Sequence, residues 1–503
     1  MTRRPRLAAL VLTAAACATA CAAGRAEPPP SLQLRASRPD PSDSTLAGDL
    51  DRIFDADILA RALVGVKVAS LKDGRVLYTR EAARHVVPAS NMKLVTVAVA
   101  ADRLGWDFRY RTRLEAAGVI EGGTLLGDLI VTGEGDPTIG SNGPGLAPLF
   151  LEWADAVARA GIRRVAGRLV GDDNAFDDEG LGAGWAWDYL GAGYATPSGA
   201  LTYNENIVTI QIIPGRSVGA PAAISGAPLG HPLDIVNEVT TGAAGSAVSL
   251  DLLRLPDRPR LTVRGSIPST GAPVVRTAAV PNPTGFFLEA FKLALADRGI
   301  TIGGGAWDID DLPSPPAGSR TALAHRESAP LSSIAAHTLK VSQNLYGETL
   351  LKTLGRGAGQ PGSAARGRNV VADRLAAWGI APDSIVMLDG SGLSRYNYVT
   401  ADALIDLLVH VWRDERLRGP FVAALPVGGH DGTLDQRMKN SILNRRVQAK
   451  TGTIANVRAL SGYLDTMSGE KLVFSMVANH FTASATAIDA VMERALERLV
   501  REP

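Results

Sequence analysis

The sequence predicts an α+β protein carrying a mainly β insertion, and three observations predict it. The chain opens with apolar residues at helical spacing, Leu46, Leu50, Ile53, Phe54, Ile58 and Leu59. A strand over 64–71, an Asp73-Gly74 hairpin turn and a return strand over 75–79 follow, and then a helix over 94–101 that is apolar on nearly every side. The chain closes in a matching way. Strands over 457–464 and 472–477 flank the turn at Ser468-Gly469, and a helix over 485–500 puts Ile488, Val491, Met492, Ala495 and Leu499 on one face. Between these ends, residues 107–281 change texture to glycine-rich, short strand-like runs. A hairpin sheet bracketed by the first and last helices places both chain ends in one domain. The expected organisation is therefore one domain from 46–106 and 282–503, and an inserted domain at 107–281 with a smaller one nested at roughly 195–275.

The 503 residues leave room for several domains, and with 46% hydrophobic residues most of the chain can bury a core. The formal charge is +1, and three of the arginines lie in the first six residues, so the body carries no basic footprint for nucleic acid. Residues 1–24 read as an export signal: Arg3, Arg4 and Arg6, then an apolar run over 7–16 too short to span a bilayer, then small residues, with cleavage near residue 20. Both cysteines, Cys17 and Cys21, fall in this leader, which excludes a structural disulfide or a cysteine nucleophile in the body. Ala18-Thr19-Ala20-Cys21 fits a lipoprotein cleavage site, with Cys21 as a membrane tether, and it fits ordinary signal cleavage as well. Residues 25–45 hold Pro28, Pro29, Pro30, Pro39 and Pro41 and read as a linker.

Within the insertion, strands are expected at 124–132, 168–172, 204–213, 247–255 and 259–265, and a helix at 149–160. The stretch 182–199 sets Trp185, Trp187, Tyr189 and Tyr194 among glycines, as a loop lining a cleft or as local core. Helices follow at 285–297, 331–339, 345–354, 364–378 and 400–412, with a tight polar loop at 389–395. A strand over 446–450 leads into Lys450-Thr451-Gly452-Thr453.

The chemistry centres on Ser90-Asn91-Met92-Lys93, at the mouth of the buried helix. Residues three apart share a helix face, so the Ser90 hydroxyl and the Lys93 amine meet there. A buried lysine gives up its proton readily, and a neutral amine can then deprotonate a serine. By itself the pair also reads as a capping serine and an unrelated lysine. Two further motifs stand in order after it, Ser342-Gln343-Asn344 between helices and Lys450-Thr451-Gly452 on a strand. Ser-x-x-Lys, Ser-x-Asn and Lys-Thr-Gly together form the set of penicillin-binding proteins and serine β-lactamases. The seven histidines show no metal-ligand spacing, and no cofactor motif is present; Gly133-Glu134-Gly135-Asp136 is not followed by a helix, as a phosphate loop would be.

With the residues around these motifs, namely 88–94, 342–346, 389–395, 431–434 and 450–453, the chain resembles the peptidase S13 family over roughly 46–503. These are the D-alanyl-D-alanine carboxypeptidases and endopeptidases also called low-molecular-mass class C penicillin-binding proteins. Gln343 stands where the family often has aspartate. The resemblance implies a β-lactamase/transpeptidase-like domain, an antiparallel sheet with helices on both faces, carrying inserted, mainly β domains. It implies serine-type cleavage of peptidoglycan peptides through an acyl-enzyme, reaction with β-lactam antibiotics, and a periplasmic or cell-envelope location. Ser90 would be the nucleophile and Lys93 its base. Ser342 and Lys450 would relay a proton, and Asn344 would hold the substrate amide. Thr451, Gly452 and Thr453 would bind the terminal carboxylate, with the Ser90 and Thr453 N–H groups as the oxyanion hole. Asp172 would reach over the cleft to the amine of the substrate's side chain; a solvated turn is the other reading of that segment. Two alternatives remain at this point, a catalytically silent peptidoglycan-binding scaffold and a β-lactamase. Intact motifs oppose the first. The 252 residues between Ser90 and Ser342, and the absence of a Glu-x-x-Leu-Asn stretch between Asn344 and Lys450, oppose the second.

Overall fold

The structure is a computed structural model and describes residues 41–140, 145–256 and 258–501. The leader and most of the linker, including Cys17 and Cys21, lie outside the described residues. The linker ends sooner than expected, because a helix already runs over Pro41–Phe54.

Both ends of the chain build one five-stranded antiparallel sheet. Its order is Val447–Ile454, Val457–Asp465, Lys471–Asn479, Leu63–Ser70 and Val76–Arg80. The join between C-terminal and N-terminal strands runs over eight residue pairs, from Leu63 opposite Asn479 to Ser70 opposite Leu472. Alternation along the strands divides their side chains between two cores. Val64, Val66, Val68, Leu460, Phe474 and Met476 face the first and last helices, Pro41–Phe54 and Ala485–Val500. Ala459, Tyr463, Val473 and Val477 face the other way, into a helical layer formed by Met92–Leu104, Leu331–Lys340, Asn344–Leu354, Ala364–Ala377, Ala401–Arg413 and Glu415–Ala424. Met92–Leu104 runs through the middle of that layer. Every residue from Met92 to Ala101 is buried, and Gly105, at φ +80°, ends the helix in a conformation other residues rarely adopt.

The insertion is larger than residues 107–281. Its main sheet follows the order Thr301–Ile302, Arg164–Val165, Thr124–Gly133, Arg111–Glu121 and Arg320–Glu327, with Leu169–Asp172 and Ala306–Asp308 joined alongside. Helix Pro283–Asp297, expected in the catalytic domain, instead buries Phe286, Phe287 and Phe291 with Phe150 and Trp153 of the insertion. Its apolar pattern had announced a core helix correctly, but pattern alone does not say which core. The expected return at 282 is corrected to Ser328, where the two crossings meet: Tyr110 N–H donates to Ser328 Oγ and Ser328 N–H to the Tyr110 carbonyl, both at 2.9 Å. Between Ile207 and Ala279 lie two three-stranded sheets, ordered Ser249–Leu253, Arg260–Pro268, Asp234–Gly242 and Val274–Ala279, Ile207–Ile213, Ala223–Ala227.

Candidate active site

Ser90 sits in a one-turn 3-10 helix, Ala89–Asn91, that leads directly into Met92–Leu104. The N-cap positions of these two helices fall to Pro88 and Asn91, which removes the reading of Ser90 as a plain cap. Ala89 is held at φ +47°, an uncommon conformation for a residue with a side chain and one often found where a site stores strain. Two glycines close on this turn from opposite sides. A Cβ on Gly392 would lie 1.8 Å from the Ala89 carbonyl oxygen, and one on Gly452 would lie 2.6 Å from that of Pro88. The glycine of Lys-Thr-Gly is thus what lets the strand pass against the Ser90 turn.

Lys93 Nζ is fully buried and donates to Ser90 Oγ at 3.0 Å, Asn344 Oδ1 at 2.6 Å and the Ser391 carbonyl at 2.8 Å. Burial pushes the ammonium down to about 7, with the negative charges of Asp389 and Glu348 opposing that shift. On the facing strand, Lys450 Nζ is equally buried and donates to Ser342 Oγ and the Thr451 carbonyl, both at 2.8 Å. Its proton affinity is driven well below a free lysine's, first by burial and then by the neighbouring charge of Lys93. Each motif serine therefore has its own lysine, and each lysine is inclined to be neutral.

Asn344 opens the helix Asn344–Leu354, ties its amide oxygen to Lys93 and donates from Nδ2 to the Tyr194 carbonyl at 2.8 Å. Thr451 Oγ1 donates to Thr433 Oγ1 at 2.7 Å, which draws the 431–434 turn into the site. Ser90, Ser342, Asn344, Thr433, Thr451 and Thr453 share one cleft of about 690 Å³ with Tyr189 and Tyr194 of the insertion.

The loop after Asp389 completes the frame, and Glu348, which sequence reasoning missed, supports it. The Glu348 carboxylate accepts from the Gly390 N–H at 3.0 Å and the Ser391 N–H at 2.8 Å, while the same two residues turn their carbonyls to Thr96 and Lys93. Burial, then the charge of Asp389, pushes Glu348 up to about 7. Asp389 accepts from Gly392 N, Ser394 N, Asn397 Nδ2 and, across the domain boundary, Trp185 Nε1 at 2.8 Å. The available sequence signal for Glu348 was a carboxylate in an apolar helix one turn beyond Asn344.

Asp172 is not brought to this cleft. It ends strand Leu169–Asp172, with its carboxylate 3.4 Å from Thr132 Oγ1 and 4.0 Å from Arg320, and it is not among the cleft's lining residues. It belongs to a pairing between neighbouring strands of the insertion's own sheet. The insertion reaches the cleft through the aromatic loop instead. Tyr189 and Tyr194 meet edge to face at 5.7 Å, and Arg395 donates to the Tyr189 hydroxyl at 3.2 Å. The carboxylate in this loop is Asp188, whose charge, after burial and Tyr189, raises the Tyr194 hydroxyl's proton affinity.

A helix-covered antiparallel sheet with a serine–lysine pair at a buried helix, a second serine–lysine pair facing it and a Lys-Thr-Gly edge strand defines the class of active-site serine enzymes that react with penicillin. Comparison with known proteins narrows this. Residues 46–499 match the D-Ala-D-Ala carboxypeptidase 3 (S13) family, and the chain belongs to it. It is 34% identical over 472 residues to a D-alanyl-D-alanine carboxypeptidase of Actinomadura sp. strain R39, covering 90% of this chain and 84% of that one. It is 26% identical to the D-alanyl-D-alanine carboxypeptidase DacB of Haemophilus influenzae, over 83% of this chain and 86% of that protein. The crystal structure of penicillin binding protein 4 from Haemophilus influenzae superposes with a TM-score of 0.78 at 24% identity, covering 90% of this chain and 98% of the other, and shows the shared fold.

Proposed function

We propose that the protein is a serine-type D-Ala-D-Ala carboxypeptidase and D,D-endopeptidase of the bacterial cell wall, acting on peptidoglycan stem peptides and cross-links and acylated by β-lactams. The observation that carries this reading is the pair of buried lysines, Lys93 on Ser90 Oγ and Lys450 on Ser342 Oγ, in one cleft. Neutral Lys93 takes the proton of Ser90 as its oxygen attacks the carbonyl between the two D-alanines. The proton taken from Ser90 passes on from Lys93 by way of Ser342, which Lys450 orients, to the departing amine, so the amine leaves neutral and both lysines end neutral. Asn344 orients Lys93 through its amide oxygen. The N–H groups of Ser90 and Thr453 receive the oxyanion, at about 3–4 kcal/mol for each donor. Thr451 and Thr453 take the substrate's terminal carboxylate, and Gly452 keeps that strand close. Water then hydrolyses the ester on Ser90. No step calls for a metal or cofactor.

A Haemophilus influenzae penicillin binding protein 4 structure complexed with a β-lactam supports binding of this class of drug. Residues 1–24 support export to the cell envelope, released by ordinary signal cleavage or tethered through a lipid on Cys21. Among the described residues no helix is long and apolar enough to cross a membrane. The test is digestion of a defined cross-linked muropeptide and of a D-Ala-D-Ala pentapeptide. Release of D-alanine from the pentapeptide and cleavage of the cross-link support the reading. Release of neither by a protein that binds penicillin removes the peptidase assignment. Mass spectrometry of the mature N-terminus checks Cys21, since a diacylglyceryl cysteine at residue 21 and a free N-terminus differ by the lipid mass.

A further inference from the structure

Besides the bond from Asn344 to the Tyr194 carbonyl, the insertion meets the second motif at the 204–206 turn. Asn204, Glu205 and Asn206 have φ of +50°, +53° and +55°, three successive residues in a region that L-residues visit singly if at all. The turn is fastened from within. Asn204 Nδ2 donates to the Ile207 carbonyl at 2.9 Å, and Asn206 Nδ2 to the Pro197 carbonyl at 2.9 Å, while Asn206 Oδ1 accepts from the Tyr203 N–H at 3.3 Å. The effect is to hold Glu205 out from the insertion against the catalytic domain.

There its carboxylate gathers residues from both sides of the Ser342 motif. One oxygen lies 2.7 Å from His337 Nε2, in the helix before the motif, and the other accepts from Gln343 Nε2, in its middle. The His337 ring packs on Tyr346, in the helix after it, with centroids 4.7 Å apart. Gln343 is pinned at its other end too, since its Oε1 accepts from the Leu345 N–H at 3.3 Å. The motif needs such support: Ser342 itself sits at φ +64°, and Val341 before it is half exposed, with no core above it.

We infer that Glu205 is a positioning residue for acyl transfer: from the inserted domain, it clamps the Ser342-Gln343 turn so that the Ser342 hydroxyl stays on Lys450, while Asn344 is held separately by Lys93 and the Tyr194 carbonyl. This rests on the assignment of Ser342 and Lys450 as the proton donor to the leaving amine. A loop that drifts hurts the step that needs that proton. An amide leaving group needs it; a thiolate leaves without it.

The experiment compares a D-Ala-D-Ala peptide with the matching D-alanyl thioester, on the full chain, for Glu205→Ala, Gln343→Ala, their double variant, Glu205→Gln and Ser342→Ala. Glu205→Ala should lower kcat/KM for the peptide by about 10- to 100-fold, the scale of a misplaced catalytic group, and the thioester by no more than about 3-fold. Gln343→Ala, which cuts the same contact from the other side, should do the same, and the double variant should be no worse than either single one. Glu205→Gln, which keeps an acceptor for Gln343, should recover most of the peptide activity. Equal losses on both substrates, additive losses in the double variant, or full peptide activity in Glu205→Ala would overturn the inference. Ser342→Ala separates the two levels. If it shows the peptide-selective loss and Glu205→Ala does not, the clamp fails alone; if Ser342→Ala shows none, the proton-donor assignment fails and takes the clamp with it.

Discussion

If Lys93 is the base, acylation of Ser90 by a β-lactam should follow the neutral fraction of one buried lysine. The perturbation is pH itself. Burial brings Lys93 from the 10.5 of a free lysine to about 7, so below that value the amine is mostly protonated and cannot accept from Ser90. Two pH units below, about one molecule in a hundred is neutral, so the second-order acylation rate at pH 5 should be roughly 100-fold below its plateau, and at pH 6 roughly 10-fold. Lys93 is faced by Glu348 from helix Asn344–Leu354, by Asp389 from the loop and by Lys450 from the strand. The two carboxylates support its charge. Replacing Glu348 by Gln removes one support, so the acidic limb should move to lower pH. The assay is stopped-flow acylation with a fluorescent penicillin between pH 5 and 9, for wild type and Glu348→Gln. A flat profile, a limb centred near a free lysine's value, or a limb that moves upward in Glu348→Gln would refute the reasoning.

Three other outcomes follow from the contacts. Gly452→Ala places a methyl 2.6 Å from the Pro88 carbonyl and 2.9 Å from Ala459, so it should cost about 1–3 kcal/mol of stability and most of the penicillin reactivity, read by thermal melting and labelling. Trp185→Phe removes one donor from the buried Asp389 and should destabilise by about 1–2 kcal/mol in a denaturant titration, with slower acylation, because the insertion then loses a tie to the loop that holds Lys93. Asp172→Asn should leave KM unchanged both for a peptide with a free side-chain amine and for its acetylated partner; the matched peptide pair measures both, and a rise confined to the free amine would return Asp172 to the site.

The catalytic frame was legible because its residues carry their chemistry in short, ordered motifs. Lys93 stands within hydrogen-bonding reach of Ser90 and Asn344, and Lys450 within reach of Ser342. The return of the sheet was legible from alternation at both chain ends. The insertion's end was not. Arg320–Glu327 is an edge strand with polar, mostly exposed residues, and its partner Arg111–Glu121 lies some two hundred residues earlier; neither shows a pattern that names the other. Asp172 was misplaced for a related reason. An aspartate after a strand looks the same in sequence whether it faces a cleft or lies against Thr132 of the adjacent strand and Arg320 of the same sheet. Glu348 and Glu205 act through backbone N–H groups and through a turn of left-handed residues, neither of which has a residue signature of its own.

The central claim is that Ser90, activated by Lys93, carries the acyl group. Mass spectrometry of the intact protein after penicillin treatment, followed by peptide mapping, tests it most directly. One added penicillin mass is expected, located on the peptide containing Ser90, absent in Ser90→Ala and formed far more slowly in Lys93→Ala than in Lys450→Ala. A label on any other residue, or undiminished labelling of Ser90→Ala, would contradict it.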